Sequence, residues 1–349
     1  RFEIDGRAVG EGEPPYVIAE VGINHNGRLD LALEHVHAAA RAGADAVKFQ
    51  NWVTEDFISD RTQTYTYKSR GREITESFYD LLKRNELSKE WLPELAAACK
   101  EAGIAFMSTP TTREGVDELL ELGVRVMKNG SDYLSHIPLL RYMAENSEAL
   151  IISTGMAFRQ DIDWAVAAVR EANPRCLPVL LHCTSLYPTP PEQANLRRMV
   201  TLRETYDVPV GYSDHTEGGA AAAQAVALGA VLLEKHFTLD HDLEGPDHWF
   251  SVTPEGLAGY VRDIHAAADR LGSPELRPAG PEMDVAREQR LSAVSARDLA
   301  AGDALCEDDV AFKKPGTGIH PAEIGGYFGR ELAADVPAET VLIPECFAK

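Results

Sequence analysis

Four side chains set the chemistry this chain could do: two histidines, His215 and His236, and two lysines, Lys48 and Lys128. Each sits at the end of a short apolar run rich in Val and Ile, where a strand hands over to a loop. His215 lies in Tyr212-Ser213-Asp214-His215-Thr216 and His236 in Glu234-Lys235-His236-Phe237. If the two runs are neighbouring strands, ~4.8 Å apart, both imidazoles can reach one divalent ion. Two protein ligands leave positions open for water and substrate, as a Lewis-acid site requires. A pair of hydrogen-bonded rim histidines fits the same pattern equally well. Lys48 and Lys128 are cations on otherwise apolar strands and need an anion, either a substrate phosphate and carboxylate or a structural partner such as Glu20 or Glu234. His182 and the His25-Asn26 pair are read as structural. Gly10-Glu11-Gly12 is a turn, and no P-loop is present.

The runs that position these residues are Tyr16–Gly22, Ala46–Trp52, Ala105–Pro110, Arg125–Ser131, Ala149–Gly155, Val179–Ser185, Val208–His215 and Val231–Thr238. They are near-continuous in hydrophobicity, as parallel strands covered on both faces must be. Ala-rich amphipathic stretches lie between them, among them Leu29–Ala42, Lys89–Ala102, Arg113–Leu122 and Gln160–Ala172, several ending at a Gly before the next run. Eight βα units predict a (β/α)₈ TIM barrel, an α/β fold, over residues 1–272, with an open doubly wound sheet as the alternative. Nearly every predicted strand ends in polar residues: Glu20, Lys48 with Gln50, Ser108 with Thr109, Lys128 with Ser131, Ser153 with Thr154, Thr184 with Ser185, Ser213 with His215, and Lys235 with His236. In a barrel these ends face one shared pocket. Gly272-Ser273-Pro274 and Pro278-Ala279-Gly280-Pro281 predict a linker over 273–284, followed by a small β-rich domain over 285–349.

Composition narrows the class. A 349-residue chain with 44% hydrophobic and 26% charged residues accommodates a ~250-residue barrel and an appendage. The net charge of −21 argues against nucleic acid, which needs a basic stripe. No apolar run approaches the ~18 residues of a membrane span. Five cysteines with no CxxC read as reduced thiols, and with the absence of a signal-like start they predict a cytoplasmic protein without structural zinc.

Several strings resemble the sialic acid (N-acetylneuraminate) synthases and related nonulosonic acid synthases. They are Ala19-Glu20-Val21-Gly22-Ile23-Asn24-His25-Asn26-Gly27, Ala44-Asp45-Ala46-Val47-Lys48-Phe49-Gln50, Ser108-Thr109-Pro110, Ser153-Thr154-Gly155-Met156 and His182-Cys183-Thr184-Ser185-Leu186-Tyr187-Pro188. Gly211-Tyr212-Ser213-Asp214-His215-Thr216, Glu234-Lys235-His236-Phe237-Thr238, Gly245-Pro246-Asp247-His248 and Lys314-Pro315-Gly316-Thr317-Gly318-Ile319 continue the match through the tail. The resemblance implies a barrel followed by an antifreeze-like (SAF) domain, in a homodimer whose SAF domains swap over the partners' barrel mouths. It implies a divalent ion, manganese with magnesium or cobalt as substitutes, on His215 and His236. It places phosphoenolpyruvate on Lys48, Thr109, Lys128, Ser131, Ser153, Ser185 and Ser213. The sugar aldehyde then meets Gln50, Tyr187 and Asp247, with Glu20 at the reacting centre.

Departures from the family pattern fall on the acceptor side. Tyr133 stands where an acidic residue is usual, with Asp132 beside it, and Lys314 replaces an arginine whose bidentate contact a lysine does not reproduce. Thr111 replaces an aromatic, and Thr62–Ser77 is unlike the sialic acid enzymes. The resemblance therefore implies condensation of phosphoenolpyruvate with an N-acetylmannosamine-like aldehyde, or the same chemistry on an unusual aldehyde. A non-catalytic anion- or partner-binding barrel and a Schiff-base aldolase using Lys48 or Lys128 are the competing readings.

Overall fold

Side chains on a strand point alternately to its two faces, and that alternation divides the core of this protein in two. The computed structural model describes residues 1–348, and the chain forms two compact units, Arg1–Gly272 and the residues from Ser273 onward.

The first unit is a barrel of eight parallel strands: β1 (Tyr16–Gly22), β2 (Ala46–Asn51), β3 (Ala105–Pro110), β4 (Val126–Asn129), β5 (Ala149–Ser153), β6 (Leu177–Cys183), β7 (Val210–Asp214) and β8 (Ala230–His236). Hydrogen-bonded neighbours run β3-β2-β1-β8-β7-β6-β5-β4, so the sheet curls round until β3 lies beside β4. The closed alternative to an open doubly wound sheet is thus the one realised. Helices such as Leu29–Arg41, Leu92–Ala102, Arg159–Ala172 and Pro254–Leu271 fill the connections. Gly103 closes one of them in the left-handed region at φ 74°, which costs a residue without Cβ nothing.

Outward residues such as Val17, Val47, Met127, Leu150, Tyr212 and Leu233 join the helices in the larger core. Inward residues, among them Tyr16, Ile18, Met107, Ile151, Leu181 and Leu232, form a separate cluster inside the barrel. Ile4 and Val9 belong to that inner cluster. They come from an antiparallel hairpin, Phe2–Ile4 with Arg7–Val9, that packs at the amino-terminal end of the strands. Its turn, Asp5-Gly6, has φ 47° and 79°, the geometry that Asp-Gly favours.

The second unit has its own small core of residues such as Ala293, Leu299, Leu305, Leu332 and Leu342. Strands Ser292–Ser295 and Val310–Lys313 pair antiparallel within it. The predicted linker needs correction, because a helix spans Gly280–Gln289. Pro281 sits in its first turn, where no backbone donor is needed, and the Glu282 carboxylate accepts the Ala279 N–H at 3.2 Å. The Gly-Pro pair that reads as a breaker is here a helix start.

Candidate active site

Strand alternation carries the polar layer to the carboxyl ends of the barrel. Above the apolar inner cluster, continuing its parity, stand Glu20, Lys48, Thr109, Lys128, Ser153, Ser213 and Glu234, all shut off from solvent. Lys48 Nζ lies 2.5 Å from Glu20 Oε2, 3.8 Å from Glu234 Oε2 and donates to Thr109 Oγ1 at 3.0 Å. Lys128 Nζ donates to Ser153 Oγ at 2.7 Å and the Asn129 carbonyl at 2.8 Å, and lies 3.9 Å from the same Glu234 oxygen. Ser213 Oγ donates to Glu234 Oε1 at 3.3 Å, and Gln50 Nε2 donates to Glu20 Oε1 at 2.7 Å.

Burial raises the Glu20 carboxyl to about 7 although Lys48 opposes it. Burial also acts on Glu234, but Lys128 and Lys48 together hold it below the usual carboxylate range. Near neutral pH, then, two ammonium groups share one fully ionised carboxylate and one half-protonated carboxyl. That net positive layer, lined by hydroxyls in a low-dielectric setting, suits an anionic substrate.

Ser131, Ser185 and Cys183 converge on Gly155. Its N–H donates to Ser131 Oγ at 3.0 Å, and a Cβ there would collide with the hydroxyls of both Ser185 and Ser131.

The two imidazoles stand with ring centroids 5.3 Å apart. His215 Nδ1–H donates to the Thr184 carbonyl at 2.8 Å, so in the neutral ring the lone pair lies on Nε2. His236 is pushed well below its ordinary range by burial and so is neutral, and its buried Nδ1 has no hydrogen-bond partner among the described residues. Asp247 Oδ2 is 3.9 Å from that nitrogen. Tyr187 packs over both rings, at 4.2 Å from His215 and 5.5 Å from His236, and Phe250 closes the group at 5.3 Å from His236. Burial opposes charge on His215, but Cys183 and the Thr184 carbonyl raise its pKa above the ordinary value; the neutral His236, with its orphaned nitrogen, is the ring that fits a borderline divalent ion as it stands. Among the described residues no three His, Cys, Asp or Glu side chains are grouped to hold a metal.

Other predicted residues lie elsewhere. Lys235 does not join His236; it points outward and pairs with Asp214. Ser108 also faces outward, donating to Asn51 Oδ1 at 2.7 Å, and Thr154 donates to the Leu181 carbonyl. His182 is tied to the Ala194 carbonyl at 2.7 Å, and His25 packs against Phe49 and Trp91. Tyr133 is stacked between Phe57 and His136, each at 5.6 Å. Lys314 lies in the second unit, where it donates to Gln289.

Residues 64–77 form an antiparallel hairpin set against the loop that carries Asp247. Ser69 Oγ accepts the Gly245 N–H at 3.1 Å and Arg70 Nε donates to the Asp242 carbonyl at 2.7 Å. Cys183 and Phe250 were not anticipated, and Glu234 was considered only as an ion-pair partner. The signal for Glu234 was available: it stands two residues before His236, on the same face of one strand.

A barrel with buried lysines, serines and a histidine pair gathered at its strand ends is the architecture of an enzyme acting on an anionic substrate. Residues 35–275 match the NeuB family and residues 290–348 match the SAF domain. The chain is 39% identical to N,N'-diacetyllegionaminic acid synthase of Legionella pneumophila, covering 95% of this chain and 94% of that one. It is 32% identical to N-acetylneuraminate-9-phosphate synthase of Mus musculus, covering 97% and 94%. Among solved structures, the N-acetylneuraminic acid (sialic acid) synthetase of Leptospira borgpetersenii superposes with a TM-score of 0.73 at 32% identity, covering 81% of this chain and 94% of that one. The chain belongs to the NeuB family and ends in a SAF domain, an enzyme among synthases. No helix is long and apolar enough to cross a membrane.

Proposed function

We propose that this enzyme condenses phosphoenolpyruvate with the aldehyde of a 2-acylamino sugar and releases phosphate by C–O cleavage, giving a nonulosonic 2-keto-3-deoxy acid. The observation that carries the reading is the pair of buried ammonium groups, Lys48 and Lys128, hydrogen-bonded to Thr109 and Ser153. They hold the phosphate and carboxylate of phosphoenolpyruvate, with Ser131, Ser185 and Ser213 supplying further donors. Fixed cations in a dry site stabilise the charge that gathers on the departing phosphate without having to reorganise.

A divalent ion, Mn²⁺ with Mg²⁺ or Co²⁺ as substitutes, held by His215 and His236, would supply Lewis acidity toward the aldehyde oxygen. Tyr187 covers the imidazole pair and screens it from bulk water. Glu20, oriented by Gln50 and titrating near neutrality, orients the water that reaches C2 and exchanges a proton with it at Oε1 or Oε2. Gln50, Tyr187, Asp247 and Tyr133 face the acceptor. The identity to a diacetyllegionaminic acid synthase supports an acylamino hexose; the Tyr133 and Lys314 departures favour a less usual member of that class.

The second SAF-carrying subunit is part of the reading. Val53, Met156, Phe158 and Leu186, all on loops beyond the strand ends, are exposed, and so are Leu276, Met283, Val285 and Leu291 in the second unit. Exposed side chains of this kind are ones that a partner subunit would cover. A swapped homodimer, with Lys314 reaching the partner's mouth in the cytoplasm, accounts for both sets.

The test is phosphate release with a panel of amino and neutral sugar aldehydes, products identified by mass spectrometry. Release should require both aldehyde and divalent metal and collapse in His215→Ala and His236→Ala. Metal-independent turnover overturns the assignment. One observation favours a second reading: burial lowers the Lys128 ammonium below its ordinary range, as a Schiff-base lysine needs. Borohydride with pyruvate labels Lys128 if that is right and leaves the protein unlabelled otherwise.

A further inference from the structure

The strands that carry the two imidazoles are tied together on their far side. Asp214 and Lys235 are register partners on β7 and β8, each one residue from a histidine of the pair, and both are shut off from solvent. Because side chains alternate, His215 and His236 face the mouth while this pair faces the helical layer. There Lys235 Nζ lies 3.1 Å from Asp214 Oδ2 and 5.3 Å from the ring centroid of Tyr260.

The pair also reaches beyond His215. Asp214 Oδ1 accepts both the N–H of Thr216, at 2.8 Å, and its hydroxyl, at 2.7 Å, and Lys235 donates to the Thr216 carbonyl. The residues on both sides of His215 are therefore pinned to the residue before His236. A buried ion pair contributes little net stability, since apolar replacements of similar volume are often as stable. What it does supply is a fixed distance and direction between two strand ends. A site with only two imidazoles takes its geometry from those ends, because no third side chain of a metal-binding type is grouped with them among the described residues.

We propose that Asp214 and Lys235 are positioning residues, their ion pair setting the spacing and aim of His215 and His236 for one divalent ion. This rests on the metal-binding part of the proposed function. Neither residue touches the ion or the substrates.

The experiment is Mn²⁺ titration of the full chain, followed by electron paramagnetic resonance of free Mn²⁺, with circular dichroism to establish folding. The Asp214→Asn/Lys235→Met double variant removes both charges and leaves neither one buried alone. It should fold, bind Mn²⁺ at least tenfold more weakly, and regain near wild-type kcat at saturating Mn²⁺, so that the loss appears in the KM for metal. Lys235→Arg, which keeps the charge, should stay within a few-fold of wild type. Should the double variant not fold, Thr216→Val carries the test with a smaller loss of two- to fivefold. A folded double variant, or in its place Thr216→Val, with wild-type Mn²⁺ affinity overturns the positioning role alone. Wild-type affinity unchanged by His215→Ala overturns the metal site itself, a distinguishable failure.

Discussion

Glu20 and Lys48 face each other across adjacent strands, 2.5 Å from carboxylate oxygen to ammonium nitrogen, and neither reaches solvent. The pair is the hinge of the site's charge, because burial lifts Glu20 to about 7 while Lys48 stays protonated. Below pH 7 Glu20 is mostly neutral, and an anion in this layer meets two cations and one carboxylate. Above pH 7 Glu20 ionises and adds a second negative charge. The KM for phosphoenolpyruvate should therefore rise between pH 6 and pH 8. In Glu20→Gln that rise should flatten, measured by phosphate release at fixed aldehyde. Parallel profiles for the two proteins would sink the assignment of the titration to Glu20.

Gly155 offers a probe that removes no polar group. A methyl there displaces the hydroxyls of Ser131 and Ser185 together, since both crowd the Cα. Gly155→Ala should raise the KM for phosphoenolpyruvate about tenfold, the loss of roughly one hydrogen bond to a charged group. The acceptor KM should hold, and Tm should move by only a few degrees. An unchanged phosphoenolpyruvate KM would remove the two serines from the anion cradle.

The barrel was legible because parallel strands covered on both faces leave continuous apolar runs, and β1 and β3 match their predicted bounds to the residue. The site was legible as a set of strand ends, but not as a set of directions. Lys235 and Glu234 were distinguishable only by parity, which sends one outward to Asp214 and the other inward between the lysines. The two hairpins were missed for different reasons. Phe2–Val9 is too short to show a period, and its Asp-Gly turn was the usable sign. Thr64–Ser77 turns on Arg70-Gly71, a pair that carries little turn preference in its first residue, and its strands are mostly polar. The helix at Gly280–Gln289 was hidden because Pro and Gly mark both linkers and helix starts.

Tyr133 is the residue on which the proposed acceptor side of the site is tested. Its ring is sandwiched between Phe57 and His136 at interplanar angles of 12°. Tyr133→Ala should raise the acceptor KM several-fold while the phosphoenolpyruvate KM stays put. A shift in the phosphoenolpyruvate KM alone, read from initial rates with each substrate varied in turn, would place Tyr133 on the wrong side.

Three buried histidines set an acid limit on the fold. Burial lowers His25 and His35 to about 4 and His248 to about 3, so all three are neutral in the native state at pH 6. Unfolded, each titrates near 6.5. As pH falls below that value the unfolded chain takes up protons that the native protein refuses, and stability declines until the folded pKa is reached. Each histidine contributes a slope approaching about 1.4 kcal/mol per pH unit. Glu20 and Asp247, raised to about 7 and about 6 by burial, work in the opposite sense over part of the window, so the wild-type slope is a partial cancellation. A single replacement isolates one histidine. His35 holds the Leu31 carbonyl through Nδ1 at 2.7 Å, and its Nε2 has no partner among the described residues. His35→Gln keeps a donor for that carbonyl and removes the titration. Urea unfolding at pH 7, 6 and 5 should give a variant whose stability falls less steeply than wild type, by about 1.2 kcal/mol between pH 6 and pH 5. Equal slopes would mean that His35 is protonated in the native state or that its surroundings are wetter than its packing against Phe237 implies.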